Sequence, residues 1–278
     1  MQELKGMPVA EAITEQISWQ MKKLTEKQRT PKLTVVRIGE QGDDIAYEKG
    51  IRKCFAAVKA AVEVMVLPPE VTQGLLEKTI VSLNHDASVD GLLLLRPLPK
   101  HLSQERIKDI VAREKDVDGM GTVNSAYVYA GNKEGCPPCT AQAVMEILDF
   151  YGISLVGKRI TIIGRSLVVG KPLAMLLLGR DATVTICHTK TLNLADECKK
   201  ADILITCAGS VKMVGVDFTH RKQIVIDAGT NVVDGKLCGD VDYEAIIGRV
   251  AAITPVPGGI GVVTTAVLLK NTVNNAVR

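Results

Sequence analysis

Apolar residues along this chain follow two spacings, one typical of amphipathic helices and one typical of buried strands. Residues 8–27 place apolar side chains at helical spacing with charges between them, whereas LTVVRIG (33–39) is a short β-branched run that ends in glycine. The same patterns predict further helices at 43–61, 70–85 and 102–113 and further strands at 62–68 and 91–99. Strands that alternate with helices in this way predict a parallel sheet covered on both faces.

The pattern lapses in the middle of the chain and then resumes. Residues 114–140 are rich in Gly, Asn and Pro, so we expect a loop-rich connection between two domains there. Beyond it the predicted helices are 141–151, a helix from about 170, 192–199 and 264–277, and the predicted strands are 158–164, 182–188, 201–209 and 223–229. The pattern therefore predicts a two-domain α/β protein.

Composition supports a globular protein with an aliphatic core. Of the 278 residues, 46% are hydrophobic and 23% are charged, while aromatic residues make up only 3%. The net charge of +3 is small and no Lys/Arg cluster with interleaved aromatic residues is present, which argues against a nucleic-acid partner. No apolar run reaches the roughly 20 residues of a membrane span, and the N-terminus has no signal-peptide stretch, so we expect a cytoplasmic protein without a membrane partner.

Seven cysteines are scattered along the chain, and the odd number favours reduced thiols in a cytosol. Cys136 and Cys139 form a C-x-x-C motif, which can mark metal or redox chemistry. A four-ligand zinc site needs further ligands, however, and the four histidines lack ligand spacing. Two prolines within the motif favour a rigid turn, so we expect a structural role for the pair and no metal site.

The segment ITIIGRSLVVGKP (160–172) is the first candidate for chemistry. A predicted strand enters Gly164, Arg165 and Ser166 follow in the turn, and a helix begins near Gly170. A helix N-terminus favours a bound phosphate through its unpaired N–H groups and its dipole, and an arginine can clamp that phosphate. The two glycines match the G-x-G-x-x-G fingerprint only weakly. We favour a dinucleotide site, with a plain strand–helix turn and a surface arginine as the alternative.

Further candidate residues are Tyr47 and the segments KDVDG (115–119) and TPVPGGIG (254–261). Asp118 lies in a glycine-flanked loop where a carboxylate can face a cleft, although a turn-forming aspartate is the better interpretation in isolation. The glycines of the last segment allow a backbone to come close to a ligand or to another helix. None of these features alone identifies a substrate.

Several motifs occur in a fixed order along nearly the whole chain. They are GxxxxxPLPKH (91–101), KDVDG (115–119), PCT (138–140), GKxxxxIGRSxxVGKPxAxLLL (157–178), DAGxN (227–231), GKLxGDVD (235–242) and ITPVPGGIG (253–261). In this order they resemble the methylenetetrahydrofolate dehydrogenase/cyclohydrolase (FolD) family. The resemblance implies a cytosolic homodimer with two domains in each chain. These are a folate-binding catalytic domain (1–119, with the C-terminal helix 262–278 packing back on it) and a Rossmann-like NAD(P)-binding domain (120–261).

The resemblance also implies roles for individual residues. The implied substrate-binding residues are Tyr47, Asp118, Pro257, Gly258 and Gly259, of which Tyr47 and Asp118 are also implied catalytic residues. The implied cofactor-binding residues are Gly164, Arg165, Ser166, Thr189 and Thr230. We expect Tyr47 to stack near the pterin ring and Asp118 to hydrogen-bond it. Arg165 and Thr189 offer a cation and a hydroxyl to a 2′-phosphate, and no acidic residue ends the 182–188 strand, so we predict NADP rather than NAD.

The chain departs from the family at the catalytic positions credited with water chemistry. Ile51 stands where the family has a lysine four residues after the tyrosine, and Leu95 stands where it has a glutamine. Asp44 and Val262 replace a serine and a proline. Aliphatic side chains can neither activate water nor stabilise a tetrahedral intermediate.

We therefore predict NADP-dependent oxidation of 5,10-methylenetetrahydrofolate to 5,10-methenyltetrahydrofolate, with cyclohydrolase activity lost or weak. Two alternatives stay open. One is an ordinary bifunctional dehydrogenase/cyclohydrolase with a rearranged polar pair. The other is a non-catalytic, cofactor-binding paralogue, against which the presence of Tyr47 and Asp118 argues.

Overall fold

Helices and strands alternate along the chain in the computed structural model, which describes residues 1–278. The strands are β1 (Gln2–Glu3), β2 (Lys32–Ile38), β3 (Ala61–Leu67), β4 (Gly91–Leu94), β5 (Arg159–Ile163), β6 (Thr183–Cys187), β7 (Ile203–Thr206), β8 (Ile224–Asp227), β9 (Asn231–Val233), β10 (Lys236–Cys238) and β11 (Ala252–Ile253). The helices are α1 (Gly6–Glu26), α2 (Gly42–Ala57), α3 (Gln73–His85), α4 (Gln104–Ile107), α5 (Thr122–Tyr129), α6 (Cys139–Phe150), α7 (Gly170–Leu178), α8 (Leu194–Lys199), α9 (Tyr243–Ile246) and α10 (Ile260–Val277). None of these helices has the length and apolar character needed to cross a membrane.

The chain forms two compact units, neither of which is continuous in sequence. Unit 1 comprises Met1–Glu11 and Thr140–Thr264, and unit 2 comprises Ala12–Cys139 and Thr265–Arg278. The boundary predicted between residues 119 and 120 therefore falls within unit 2, and residues 1–11, predicted with the first domain, group with unit 1. The assignment of a function to each unit stays a prediction at this point.

Unit 2 is built on a three-stranded parallel sheet in the order β3-β2-β4. The central strand β2 is buried along almost its whole length, as its run of Val, Leu and Ile predicts. Apolar side chains of the sheet, of α3 and of the segment around α4 pack together in one buried cluster. Its buried members include Val36, Ile38, Leu76, Ile80, Leu92, Leu94 and Ile107. The predicted parallel sheet of strand–helix units is confirmed.

Unit 1 contains a six-stranded sheet in the order β1-β11-β8-β7-β5-β6, with every pair parallel. Strand β5 has β6 on one side and β7 on the other, so the direction of winding reverses there. In open α/β sheets a ligand binds outside the carboxyl ends of the strands at such a reversal. The predicted Rossmann-like arrangement is confirmed, and β5 marks where its site should be.

The C-terminal helix α10 packs on unit 2 through most of its length. The side-chain amide of Asn271 donates to the Val117 carbonyl at 3.0 Å, and that of Asn275 donates to the Asp90 carbonyl at 3.2 Å. Buried apolar residues of the helix, such as Leu268 and Leu269, are fully inaccessible to solvent. The predicted return of this helix to the first domain is confirmed.

Two local predictions between residues 102 and 140 are wrong. The helix predicted at 102–113 is only the four-residue α4, and the region predicted as a loop contains the eight-residue helix α5. The start of α5 depends on Asp116, whose carboxylate accepts hydrogen bonds from the Met120 and Gly121 N–H groups at 2.9 Å and from the Asn124 amide at 2.8 Å. The N–H of Thr122, the first residue of α5, donates to the exposed Asp109 carboxylate at 2.8 Å. Two aspartates earlier in the chain thus fix the start of α5, where the local sequence supplies no side-chain cap.

Candidate active site

Tyr47 and Asp118 lie in one electrostatic neighbourhood of unit 2. Tyr47 is on α2, and its pKa is raised well above the usual value, first by burial and then by the nearby Cys139 thiol and Asp118 carboxylate. The positive charge of Arg96 opposes this pKa shift. The structure thus brings the two predicted pterin-binding residues together and adds Arg96 and Cys139 to their surroundings.

Both carboxylate oxygens of Asp118 are engaged. Oδ2 lies 2.8 Å from Nη2 of Arg96, and Oδ1 accepts a hydrogen bond from the Cys139 N–H at 3.2 Å, at the first residue of α6. The side chains of Asp118 and Arg96 are 19% and 15% exposed. Asp118 is therefore fixed by two donors while its side chain stays partly exposed, and its role toward a substrate stays a prediction.

The sequence motifs predict no role for Arg96, although one feature of the sequence points to it. Arg96 is the one charged residue in the run GLLLLRPLP (91–99) and lies two residues beyond the end of β4. Its partner is 22 residues away in sequence, so only the tertiary structure identifies the ion pair.

Ile51 and Leu95, the two aliphatic departures, are both buried. Ile51 is 0% exposed on α2, one turn beyond Tyr47, and Leu95 is 7% exposed. The N–H of Leu95 donates to the Val36 carbonyl at 3.0 Å, so the chain is still paired with β2 at this residue. Neither side chain can donate or accept a proton. At these two positions unit 2 therefore has buried aliphatic side chains, whereas the family resemblance implies a lysine and a glutamine.

The C-x-x-C pair lies beside Asp118. The Cys136 and Cys139 sulfurs lie 3.6 Å and 3.2 Å from the Val117 carbonyl oxygen, and the Asn271 amide lies 3.5 Å and 3.7 Å from them. Burial raises the pKa of the Cys139 thiol well above its usual value. These contacts tie the start of α6 to the residue that precedes Asp118 and so help to fix the carboxylate.

In unit 1 the turn after β5 is a tightly packed glycine turn. Gly164 has a φ of +129°, and a β-carbon at this residue would lie 2.5 Å from the Cys207 carbonyl oxygen. A side chain at Gly170 would collide with the Gly164 carbonyl. The Ser166 hydroxyl accepts a hydrogen bond from the Val169 N–H at 3.1 Å just before α7. Both glycines thus allow the close strand–turn–helix approach that a dinucleotide turn needs.

The predicted polar residues of the cofactor site lie at the carboxyl ends of the parallel strands of unit 1. Arg165 and Ser166 follow β5, Thr189 follows β6, and Thr230 follows β8. All four are exposed, as residues that contact a ligand at this edge must be. The edge therefore presents a guanidinium and three hydroxyl groups around the reversal at β5.

Pro257, Gly258 and Gly259 also belong to unit 1. Pro257 and Gly258 are exposed, whereas Gly259 is buried. The Gly6 N–H donates to the Gly258 carbonyl at 2.8 Å, and a side chain at Gly6 would collide with the Gly259 carbonyl. The backbone of Gly258 and Gly259 thus lies close to Gly6, the first residue of α1. A substrate-binding role for these three residues stays a prediction.

Two buried carboxylates behind this edge were missed by the sequence analysis. Asp240 is 0% exposed and accepts hydrogen bonds from the N–H groups of Ala208 and Ser210 at 2.6 Å and 2.8 Å. Asp227 accepts from the Thr206 hydroxyl and the Gly229 N–H, both at 2.9 Å, and burial raises its pKa. The motifs DAGxN and GKLxGDVD contain these residues, but most of their partners are backbone groups that no sequence pattern reveals.

Comparison with known proteins identifies the family to which both parts of the chain are similar. The catalytic-domain model of tetrahydrofolate dehydrogenase/cyclohydrolase matches residues 4–118, and the NAD(P)-binding-domain model of the same family matches residues 138–278. The chain belongs to the tetrahydrofolate dehydrogenase/cyclohydrolase family. The bifunctional protein FolD of Clostridioides difficile (strain 630) is 47% identical over 271 residues, which are 97% of this chain and 94% of that protein.

Solved structures of this family superpose closely on the chain. The bifunctional FolD enzyme of Campylobacter jejuni has a TM-score of 0.95 at 38% identity, with 99% of this chain and 98% of that chain covered. The FolD enzyme of Trypanosoma brucei, crystallised with NADP cofactor and an inhibitor, has a TM-score of 0.92 at 35% identity, with 99% and 97% covered. The resemblance inferred from the motifs is confirmed as family membership.

The residues of unit 1 fit the dinucleotide that this family's second domain binds. The Gly164–Gly170 turn has no room for side chains where the strand meets the helix, and it opens on an exposed arginine and an exposed serine. Backbone N–H groups at the start of α7 and the guanidinium of Arg165 are suitable donors for a pyrophosphate or phosphate group. The roles of the individual residues remain predictions.

Proposed function

We propose that this chain oxidises 5,10-methylenetetrahydrofolate to 5,10-methenyltetrahydrofolate with NADP, and that it hydrolyses the methenyl product weakly or not at all. The observation that carries the proposal is the burial of two aliphatic side chains, Ile51 and Leu95, beside an otherwise intact Tyr47–Asp118 pair. Family membership supports the folate substrate, and the two buried residues support the loss of one of the two family reactions.

Oxidation requires mainly alignment of the substrate. NADP supplies the hydride acceptor when it is bound, and the folate nitrogens stabilise the cation that remains on the substrate, so no general base is needed. Asp118 is held by Arg96 and by the Cys139 N–H, which supports its role in orienting the pterin ring. Tyr47 supplies an aromatic face in the same neighbourhood.

Hydrolysis requires a group that moves a proton or stabilises an oxyanion. Tyr47 and Cys139 are unsuitable as bases near neutral pH, because burial raises the pKa of both groups and keeps them protonated. The guanidinium of Arg96 offers N–H donors and no acceptor, so it cannot serve as a base. With Ile51 and Leu95 aliphatic, the groups near Asp118 support hydride transfer better than hydrolysis.

NADP is proposed over NAD on the chemistry of the carboxyl edge in unit 1. Arg165 and Thr189 are exposed at the ends of adjacent strands, β5 and β6, and can pair with a 2′-phosphate. The Trypanosoma brucei relative, which was crystallised with NADP, supports the same choice.

The test is a spectrophotometric assay of both reactions on the purified full-length chain. We expect reduction of NADP with methylenetetrahydrofolate and hydrolysis of methenyltetrahydrofolate close to the uncatalysed rate. An Asp118→Asn variant is the control for site specificity, and it should lose oxidation through a raised folate KM while its NADP affinity is kept. Hydrolysis as fast as oxidation in the unmodified chain would overturn the proposed loss.

An ordinary bifunctional enzyme is the second candidate, favoured by the relatives that are named bifunctional proteins. The same assay separates the two candidates. A homodimer in a reducing, cytoplasmic compartment is also proposed. The odd number of cysteines supports the reducing compartment, and light scattering at several concentrations tests the dimer.

A further inference from the structure

Arg96 makes an ion pair with Asp118 that the sequence patterns do not reveal. It lies two residues beyond the end of β4, between Leu95 and Pro97. Its Nη2 atom lies 2.8 Å from Asp118 Oδ2, and its side chain is only 15% exposed. A guanidinium held at this distance by a partly buried carboxylate has a defined geometry, unlike the many exposed pairs on the surface.

The ion pair leaves Asp118 with free acceptor capacity. An ionised carboxylate has about four lone-pair sites on its two oxygens. Arg96 occupies one site on Oδ2, and the Cys139 N–H occupies one on Oδ1 at 3.2 Å. The Cys139 thiol also hydrogen-bonds this carboxylate. The side chain of Asp118 is still 19% exposed, so its remaining acceptor capacity is open to a ligand that offers N–H donors.

We propose that Arg96 is a positioning residue for the folate substrate, which orients the Asp118 carboxylate toward two adjacent N–H donors of the pterin ring. The inference rests on the proposed function, because it names how that site recognises its substrate. Arg96 also supplies positive charge near Tyr47, in a neighbourhood where Ile51 provides none. Arg96 acts on the substrate through Asp118.

The test compares Arg96→Leu and Arg96→Lys with a matched control, Arg106→Leu. Arg106 makes an ion pair of the same length, 2.8 Å to Glu77, but its side chain is 64% exposed. The measurements are the dissociation constant of tetrahydrofolate, the KM of methylenetetrahydrofolate, the KM of NADP, kcat and the unfolding temperature. All are made on the full-length chain.

Arg96→Leu should weaken folate binding roughly 10–100-fold, the usual effect of losing a hydrogen bond to a charged group. The NADP KM should change less than about twofold, and kcat should fall less than the folate KM rises. Arg96→Lys should recover part of the affinity because it keeps the charge, and Arg106→Leu should behave as the unmodified chain. A folded Arg96→Leu variant with unchanged folate affinity would overturn the inference.

A double-mutant cycle guards against a purely structural effect. If Arg96 acts through Asp118, adding Arg96→Leu to Asp118→Asn should weaken folate binding little further. Additive losses would mean that Arg96 acts independently of Asp118, and the inference would be wrong. The binding readout also separates the two proposals: tetrahydrofolate binding that depends on Arg96, without oxidation of the methylene form, would retain this inference and refute the proposed function.

Discussion

The buried carboxylate of Asp240 organises the loop after β7, and its removal should destabilise unit 1 measurably. The side chain is 0% exposed and accepts four hydrogen bonds. Their donors are the N–H groups of residues 208–210 and the Asn231 side-chain amide. Gly229 is part of the same arrangement, because a side chain there would collide with the carboxylate. An Asp240→Ala substitution therefore removes one acceptor from four donors at once.

The magnitude follows from those four bonds. A hydrogen bond to a charged group contributes roughly 1.5–3 kcal/mol, but the four contributions do not add fully. Residues 208–210 are exposed, so water can reach their N–H groups after the substitution. The carboxylate's own desolvation penalty also disappears. We expect a net loss of about 3 kcal/mol in the free energy of unfolding, which lowers Tm by roughly 10 °C for a domain of this size.

The assay combines thermal and urea unfolding with NADP titration. The loop at 208–210 follows β7 at the carboxyl edge of the sheet, so Asp240→Ala should also weaken NADP binding. Asp242→Ala is the matched control, because the Asp242 side chain is 34% exposed and its ion pair with Lys212 is long, at 3.6 Å. This control should cost less than about 1 kcal/mol. If Asp240→Ala costs no more than Asp242→Ala, the network does not stabilise the fold as argued.

Three further predictions concern the active site and the thiols. Ile51→Lys combined with Leu95→Gln should raise the rate of methenyltetrahydrofolate hydrolysis by about 10–100-fold. This is less than the full ~10²–10⁴ effect of a proton-transfer group, because a lysine at a fully buried position loses much of its charge. If the hydrolysis assay shows no rise, the prediction is wrong. Arg165→Ala should raise the NADP KM at least about 10-fold with little change for NAD, whereas Arg159→Ala, at the amino end of β5, should leave both KM values unaltered. Burial raises the pKa of Cys54 to about 11. At pH 8 iodoacetamide should therefore label Cys54 about 100-fold more slowly than a thiol of ordinary pKa, and the labelling rate should rise about tenfold per pH unit. Fast labelling of Cys54 at pH 8, measured by mass spectrometry, would refute the shift.

The sequence predicts the regular elements of this fold well, because strands buried on both faces leave a strong apolar signature. The β-branched runs of β2 and β5 lie where the pattern indicates, within a residue or two. The failures are elements that depend on distant contacts. The start of helix α5 depends on two aspartates outside it, Asp109 and Asp116. The two-residue strand β1 depends on its pairing with β11, 250 residues away in the chain (Gln2 with Ala252), and β11 also pairs with β8.

The residues of the candidate site were predictable only where the residue type and its place in the chain already indicate a ligand. Gly164 and Arg165 are recognisable because a glycine turn with a basic residue after a strand suits a phosphate. Arg96 and Asp240 were not, since each acquires its meaning from a partner that is remote in sequence or belongs to the backbone. The groups that satisfy a buried charge are brought together only by the tertiary structure.

The division of the chain into interleaved units has a consequence for biosynthesis. Unit 2 is complete only when residues 265–278 have left the ribosome, long after the rest of that unit has been made. Until then the backbone carbonyls of Val117 and Asp90 lack their partners on α10, and the apolar surface that Leu268 and Leu269 cover has no cover. A nascent chain halted near residue 260 should therefore be a substrate for chaperones. For the same reason, separate expression of unit 2 calls for a circular permutant that joins residues 265–278 to residue 12, because truncation at residue 139 removes that segment.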